Sequence, residues 1–332
     1  MSNFSRRQVL GGAAGLAAAS FIGTGRSAFA ATRKLIVTEP GHSVDSLPFY
    51  VGIRKGYYKE VGLDIQLVTS EGGGKAMAAV QSGNADSYIG GPEHIAFADI
   101  KGGQPINAVV ALSNRANSFV CARTGVSVDP AKPFAQNIKG KKIAVGTRGA
   151  TDNSVLLYLL KRDGLDPRTD VVMLEIETSA GRIAAMKNGQ ADMAMVFEPF
   201  ISQGVKSGIW QEPFASMPKE LGLFSWTTVN LPEKTIKADP ELAKAIVAAT
   251  KKSLELIFAD EAEMRAIAAE EFPTLPKDDL DAIMTRARDN DMWQRDGSMP
   301  QEAWTKLESI LTISGMIKQD VPYKQIFDPS FL

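Results

Sequence analysis

The sequence is poor in the residues that carry most metal and nucleophile chemistry. Among 332 residues there is one cysteine, and there are two histidines. That excludes an internal disulfide framework, a multi-cysteine metal site and a histidine-rich metal centre. Neither sign of charge is in excess, with 37 basic side chains against 38 acidic ones, so no basic face for nucleic acid is expected. No apolar run reaches the ~20 residues that a membrane-spanning helix needs. G-x-S-x-G, H-E-x-x-H and a G-x-G-x-x-G at a strand–helix junction are missing as well, and no cofactor is expected. What is present is ordinary globular composition: 44% apolar, 23% charged and 8% aromatic, in a length that suits about two domains.

Residues 1–30 read as an address rather than as fold. Arg6-Arg7 precedes a weakly apolar Gly/Ala-rich stretch, and Ala28-Phe29-Ala30 supplies the small residues of a cleavage site. The pattern resembles a cleaved signal of the twin-arginine type, whose cargo is exported folded; an ordinary Sec-type signal is the alternative. Without Arg6, Arg7 and Arg26 the balance is 34 basic to 38 acidic residues. The expectation is a soluble periplasmic protein. Cys121, inside Phe119-Val120-Cys121-Ala122, reads as a buried inert thiol.

The strongest internal signal is a weak duplication. Lys34-Leu35-Ile36-Val37 and Lys142-Ile143-Ala144-Val145 read as short buried strands. Each is followed by a helix and a Gly-Leu-Asp, at Gly62-Leu63-Asp64 and Gly164-Leu165-Asp166, and then by a second strand. A helix next ends in a shared pattern: Ala79-Val80-Gln81-Ser82-Gly83-Asn84-Ala85-Asp86 matches Ala185-Met186-Lys187-Asn188-Gly189-Gln190-Ala191-Asp192. In both, a glycine just past the helix suits a left-handed cap, and an apolar strand begins again. The three anchor pairs are 108, 102 and 106 positions apart, as one unit used twice would be. Each unit alternates strand and helix, which builds a parallel sheet with right-handed crossovers. Ligands of such sheets lie beyond the carboxyl ends of the strands, so two facing lobes would make a cleft.

The C-terminal third reads as covering helices. Asp239 can cap a helix with Pro240 in its first turn, and further helical segments fall near 261–271, 278–289 and 300–314. The run Phe224-Ser225-Trp226-Thr227-Thr228-Val229 is expected as a returning strand. With a first crossing near 112–118 it would form a two-stranded hinge.

Leu47-Pro48-Phe49-Tyr50-Val51-Gly52-Ile53-Arg54-Lys55-Gly56-Tyr57-Tyr58-Lys59-Glu60-Val61-Gly62-Leu63-Asp64-Ile65 resembles the opening signature of periplasmic solute-binding proteins of ABC importers. The nearest branch is the nitrate, sulfonate, taurine and thiamine-pyrimidine-precursor group. The Gly-x-Ala-Asp elements, Lys139-Gly140-Lys141-Lys142-Ile143 and Phe197-Glu198-Pro199-Phe200 fit it too. The resemblance implies an α/β fold, a two-lobed periplasmic binding protein of type II. Each lobe would be a mostly parallel sheet flanked by helices, and a two-stranded hinge would join the lobes. On that plan residues 31–116 plus 226–332 form lobe I and 117–225 lobe II. The partners implied are a small-molecule solute and the ABC permease and ATPase subunits, with the receptor a monomer that has no catalysis of its own.

Strand-end loops supply the ligand-binding candidates. His42 sits on an irregular loop, and Asp45 enters the next helix, where it could equally serve as a cap. Gly72 and Gly73 open a helix, either as a flexible turn or as bare backbone for a ligand. Gly91 and Glu93 end the third strand, and Glu93 could simply complement a helix dipole. Thr147, Arg148 and Thr151 form a helix entrance that suits an anionic group. Glu175 and Glu198 lie near later strand ends and would suit an amine or aminopyrimidine. Tyr50, Phe197 and Trp226 could supply aromatic walls or core. These residues leave open an anionic, zwitterionic or polar heterocyclic solute. Two other functions compete: a thiamine-pyrimidine-synthase-like enzyme, whose cysteine cluster is missing here, and a sensor module that presents ligand to a membrane receptor.

Overall fold

Apolar runs that are buried on both faces become the strands of two five-stranded sheets. The computed structural model describes residues 32–70 and 72–332; the expected signal at 1–30 lies outside the described residues. The first stretch of chain gives β1 (Arg33–Glu39), α1 (Leu47–Arg54), α2 (Tyr57–Glu60), β2 (Leu63–Thr69), α3 (Gly73–Gln81), β3 (Ser87–Gly90), α4 (Glu93–Ile100) and β4 (Ile106–Ser113). The second gives β5 (Phe119–Ala122), α5 (Phe134–Ile138), β6 (Lys142–Val145), α6 (Thr151–Arg162), β7 (Val172–Glu175), α7 (Ser179–Lys187), β8 (Met193–Val196), α8 (Phe200–Lys206), β9 (Ala215–Ser216) and α9 (Met217–Leu221). The chain then returns through β10 (Thr227–Pro232), α10 (Glu233–Ala238), α11 (Pro240–Ala259), α12 (Glu261–Glu271), α13 (Lys277–Asp289), α14 (Gln301–Ser314) and α15 (Tyr323–Ile326).

The duplication is visible in the strand order. The first sheet runs β2-β1-β3-β10-β4 and the second β7-β6-β8-β5-β9. In each, the three strands of the repeat pair in parallel, and the strand that enters the sheet from a crossing, β10 in the first and β5 in the second, joins antiparallel. The shared Ala-Asp ending has a specific job. Asp86 accepts the backbone N–H of Ile36 at 2.8 Å, and Asp192 accepts that of Lys142 at 2.9 Å. Each aspartate thus ties the end of its helix to the first strand of its own repeat. Gly83 and Gly189 take φ of 79° and 69°, the left-handed conformation that only glycine adopts without strain.

Side-chain alternation explains why both strand faces are apolar. In the second sheet Val120, Ile143, Val145, Met193 and Met195 face one buried cluster, while Phe119, Cys121, Ala144, Ala194 and Val196 face another. Sheets covered on both sides read as continuous hydrophobic runs rather than as alternation. Cys121 is fully buried, and burial pushes its thiol pKa up.

The two sheets belong to two lobes flanked by helices, the periplasmic-binding-protein architecture. The chain leaves the first sheet after Ser113, enters the second at Phe119, leaves it after Ser216 and re-enters the first at Thr227. Helix α11 starts where Asp239 accepts the Leu242 N–H at 3.2 Å, and it packs on α1. Helix α14 does something else: it packs on α6 of the second lobe. Leu307 and Leu311 of α14 share a cluster with Leu156 and Leu160, a cluster that also holds Tyr88 and Ala108 of the first sheet. One apolar core therefore runs through both lobes. No helix among the described residues is long and apolar enough to cross a membrane.

Candidate functional site

A cavity of about 380 Å³ lies between the two sheets. Its lining comes from the carboxyl ends of strands, as open α/β sheets dictate. Pro40, Gly41 and Ser43 follow β1; Gly73 and Gly74 follow β2; Gly91, Glu93 and His94 follow β3. The second lobe contributes Gly149, Ala150 and Thr151 after β6 and Phe197 after β8. Asn117 and Trp226, on the two crossing segments, complete the wall together with Thr227, the first residue of β10. The cavity is therefore not filled by side chains, although the lobes share a core beneath it.

Asp45 is buried in this wall and does not cap α1, whose N-terminal residue makes no side-chain cap. Its carboxylate instead accepts from Thr227 Oγ1 at 2.6 Å, from Asn117 Nδ2 at 3.1 Å and from the Ser43 hydroxyl. One side chain from the first lobe thereby ties the first crossing segment to the start of β10. Glu93 is also buried, at 6% exposure, and accepts from Thr151 Oγ1 of the other lobe at 2.8 Å. Its position as the first residue of α4 lets the helix dipole favour its charge. His94 Nε2 stands 3.7 Å from Glu93 Oε1, too far for a hydrogen bond. Tyr88 is buried beside Glu93, and that burial first, then the nearby carboxylate, pushes the phenol pKa well up.

The glycines of the cleft have a different use from the one sequence suggests. A Cβ on Gly73 would overlap the His94 ring, one on Gly90 the Tyr88 ring, and one on Gly91 the Glu93 carboxylate. These glycines make room for the chain's own site side chains. Gly72, at φ 131°, is the turn before α3 and is not in the lining.

Besides Gly72 and Thr147, four more candidates lie elsewhere. His42 is held outside the cleft, stacked on Tyr50 at 4.2 Å, with Nδ1 3.0 Å from Glu39 and Nε2 3.3 Å from Glu271. Burial opposes its charge, but the hydrogen bonds to Glu271 and Glu39 outweigh it and raise the pKa to about 9. Arg148 is exposed, and its backbone N–H donates to Glu175 at 3.0 Å. Glu175 itself is exposed. Glu198 is buried but faces away from the cavity, bound by Arg286 Nε at 2.8 Å and by the Ser202 hydroxyl at 3.0 Å.

The helix entrance with Thr147 proves to hold an internal anion. Asp152 takes the Gly146 N–H at 3.1 Å and the Asn153 N–H at 2.9 Å, and it pairs with buried Arg182 at 2.7 Å. The Gly146, Arg148 and Asn153 amides are thus met by the chain's own carboxylates. Of the sequence candidates, Asp45, Gly73, Gly91, Glu93, Thr151 and Trp226 come together in the cleft; His42, Gly72, Thr147, Arg148, Glu175 and Glu198 do not line it. Sequence reasoning missed Ser43, Tyr88, His94, Asn117 and Thr227. His94 adjoins Glu93 and Ser43 adjoins His42, but nothing local distinguishes Asn117 or Thr227.

The family model described as NMT1/THI5 like matches residues 43–264, a span that holds most of this wall. The chain belongs to that family. YtlA of Bacillus subtilis (strain 168) is 26% identical over 296 residues, covering 88% of this chain and 87% of YtlA. Among solved structures, the periplasmic aliphatic sulphonate binding protein SsuA of Escherichia coli superposes with a TM-score of 0.70. It is 16% identical, over 89% of this chain and 97% of that one. The periplasmic nitrate-binding protein NrtA of Synechocystis PCC 6803 gives 0.62 at 17% identity, over 84% and 80%. At such identities the likeness is one of fold.

Proposed function

We propose that this NMT1/THI5-like chain is a periplasmic solute-binding receptor that captures one small polar organic solute between its lobes and delivers it to an ABC permease powered by a separate ATPase. The observation that carries this reading is the 380 Å³ cavity, walled by strand ends of both lobes and by both crossing segments. A site built this way changes shape whenever the lobes move, which suits capture and release. Asp45, Gly73, Gly91, Glu93, Thr151 and Trp226 are the residues proposed to meet the solute, joined by Asn117 and Phe197. Lobe I comprises 31–116 plus 226–332 and lobe II 117–225, with α14 reaching across. The twin-arginine-type signal at 1–30 takes the chain to the periplasm, where it acts as a monomer without catalysis.

Native mass spectrometry of the mature protein purified from its own periplasm tests this. A stoichiometric small molecule, released on denaturation, is expected. Adding the released solute back should raise the melting temperature, since a ligand at 100 times its Kd stabilises by about 2.7 kcal/mol. A protein that arrives empty, and whose melting temperature no periplasmic extract shifts, would end the receptor reading.

A further inference from the structure

The chemistry of the cleft wall is one-sided. Two carboxylates, Asp45 and Glu93, line it, and no Lys or Arg does among the described residues; the one basic group in the lining is the His94 imidazole, with Nε2 3.7 Å from Glu93 Oε1. Asp45 has three neutral donors. Glu93 has one, the Thr151 hydroxyl, and no cation within hydrogen-bond distance. Buried carboxylates are normally paired, and a helix N-terminus contributes only part of what a counter-charge would.

A second observation is independent of those charges. Asn117 is 2% exposed and lines the cavity, yet its Oδ1 has no hydrogen-bond partner. Its orientation is fixed by chemistry: Asp45, as a carboxylate, can only accept, so the amide nitrogen must face it. The orphan is therefore an acceptor. Buried acceptors left unmet cost stability, and every unmet group here calls for a donor. Phe197 and Trp226, both half-buried, add aromatic surface that attracts cations. At the α6 entrance Asp152 already takes the Gly146 and Asn153 amides, which are therefore not offered to an anionic ligand.

We propose that the cleft selects a small organic cation carrying N–H donors, such as an amidinium or guanidinium head on a flat or apolar body, whose donors meet Glu93, with Asn117 Oδ1, closed off in the empty cleft, as the acceptor a further donor reaches once the wall adjusts. This rests on the receptor reading above and names its ligand class.

The test is a thermal-shift panel on the mature protein: benzamidinium and agmatine, choline as a cation without N–H donors, and ethanesulfonate and nitrate as anions. Benzamidinium or agmatine should raise the melting temperature, and choline should do so less or not at all. Glu93→Gln should abolish that shift while raising the melting temperature of the empty protein, because it removes a buried charge whose one hydrogen-bond donor is the Thr151 hydroxyl. A merely structural glutamate would lower it. A shift with ethanesulfonate or nitrate and none with the two donors-bearing cations overturns the assignment but leaves the receptor reading standing. An equal shift with choline overturns the role of the N–H donors. Silence from all five overturns the assignment, and in a protein that also arrives empty it removes the receptor reading as well.

Discussion

Individual residues in this protein differ more in their partners than in their type. His42 and His94 are the only histidines, yet one is an imidazolium clamp and the other a cleft wall. With its pKa raised from 6.5 to about 9, His42 binds its proton more tightly in the folded chain than in the unfolded one. Its contribution is then fully present below pH 6.5 and is lost as pH rises through 9. Glu39, Glu271 and the Tyr50 hydroxyl face it or its partners, with Arg54 behind Glu271. His42→Gln should therefore flatten the fall in stability between those pH values, read by urea unfolding at a series of pH. An unchanged slope would mean that another group titrates. Arg148→Ala should leave the ligand-induced thermal shift unaltered, since the guanidinium is exposed and outside the cavity; a lost shift would put Arg148 back in the site.

At the scale of elements, helices are placed by close backbone contacts and by a few buried charges. Gly204 of α8 lies against the ring of Trp210, whose indole N–H donates to Ile201 O at 2.9 Å. A methyl there would overlap the ring, so Gly204→Ala should cost about 1–3 kcal/mol by overpacking. An unfolding midpoint equal to wild type would show that the ring can move. Helix α13 of the first lobe reaches lobe II through Arg286, which holds buried Glu198 and also Glu212 at 3.0 Å. Ser216 and Asn290 add a hydrogen bond of 2.6 Å across the same seam. Burial raises the Glu198 pKa even with Arg286 opposing it. Arg286→Met leaves that carboxylate unpaired and should cost about 3–5 kcal/mol, whereas Arg286→Met with Glu198→Gln should recover much of it. Equal losses in the single and double variants would show that the pair is not coupled.

For the whole molecule, the decisive feature is that the last helices serve both lobes. α14 covers the apolar face of α6, and Phe327, just beyond α15, lies in the same cluster as Ala108. A chain ending at residue 296 would leave Leu156, Leu159 and Leu160 without that cover, although all three lie far upstream. Such a truncation should lose cooperative unfolding by circular dichroism, the distant lobe included. A single sharp transition in the shortened protein would refute the shared core.

Much of this was legible from the chain alone. Short continuous apolar runs place β1, β6 and β8, and period-3.6 patterns place α11–α14, because burial acts on near neighbours in sequence. The repeated Ala-Asp ending signals two equivalent units for the same local reason. The partners were not legible. Glu198 could not be assigned to Arg286, 88 positions away, nor Asp45 to Thr227, 182 positions away. Gly73 read as bare backbone for a ligand until the His94 ring was seen to fill the space beside it. The sequence by itself determined the strands, the helices and their repetition, since these follow from local geometry and from which faces must leave water. Which carboxylates face the cleft and which are spent on internal ion pairs was decided only by the tertiary structure. Charge compensation acts through space, between groups that the order of residues does not bring together.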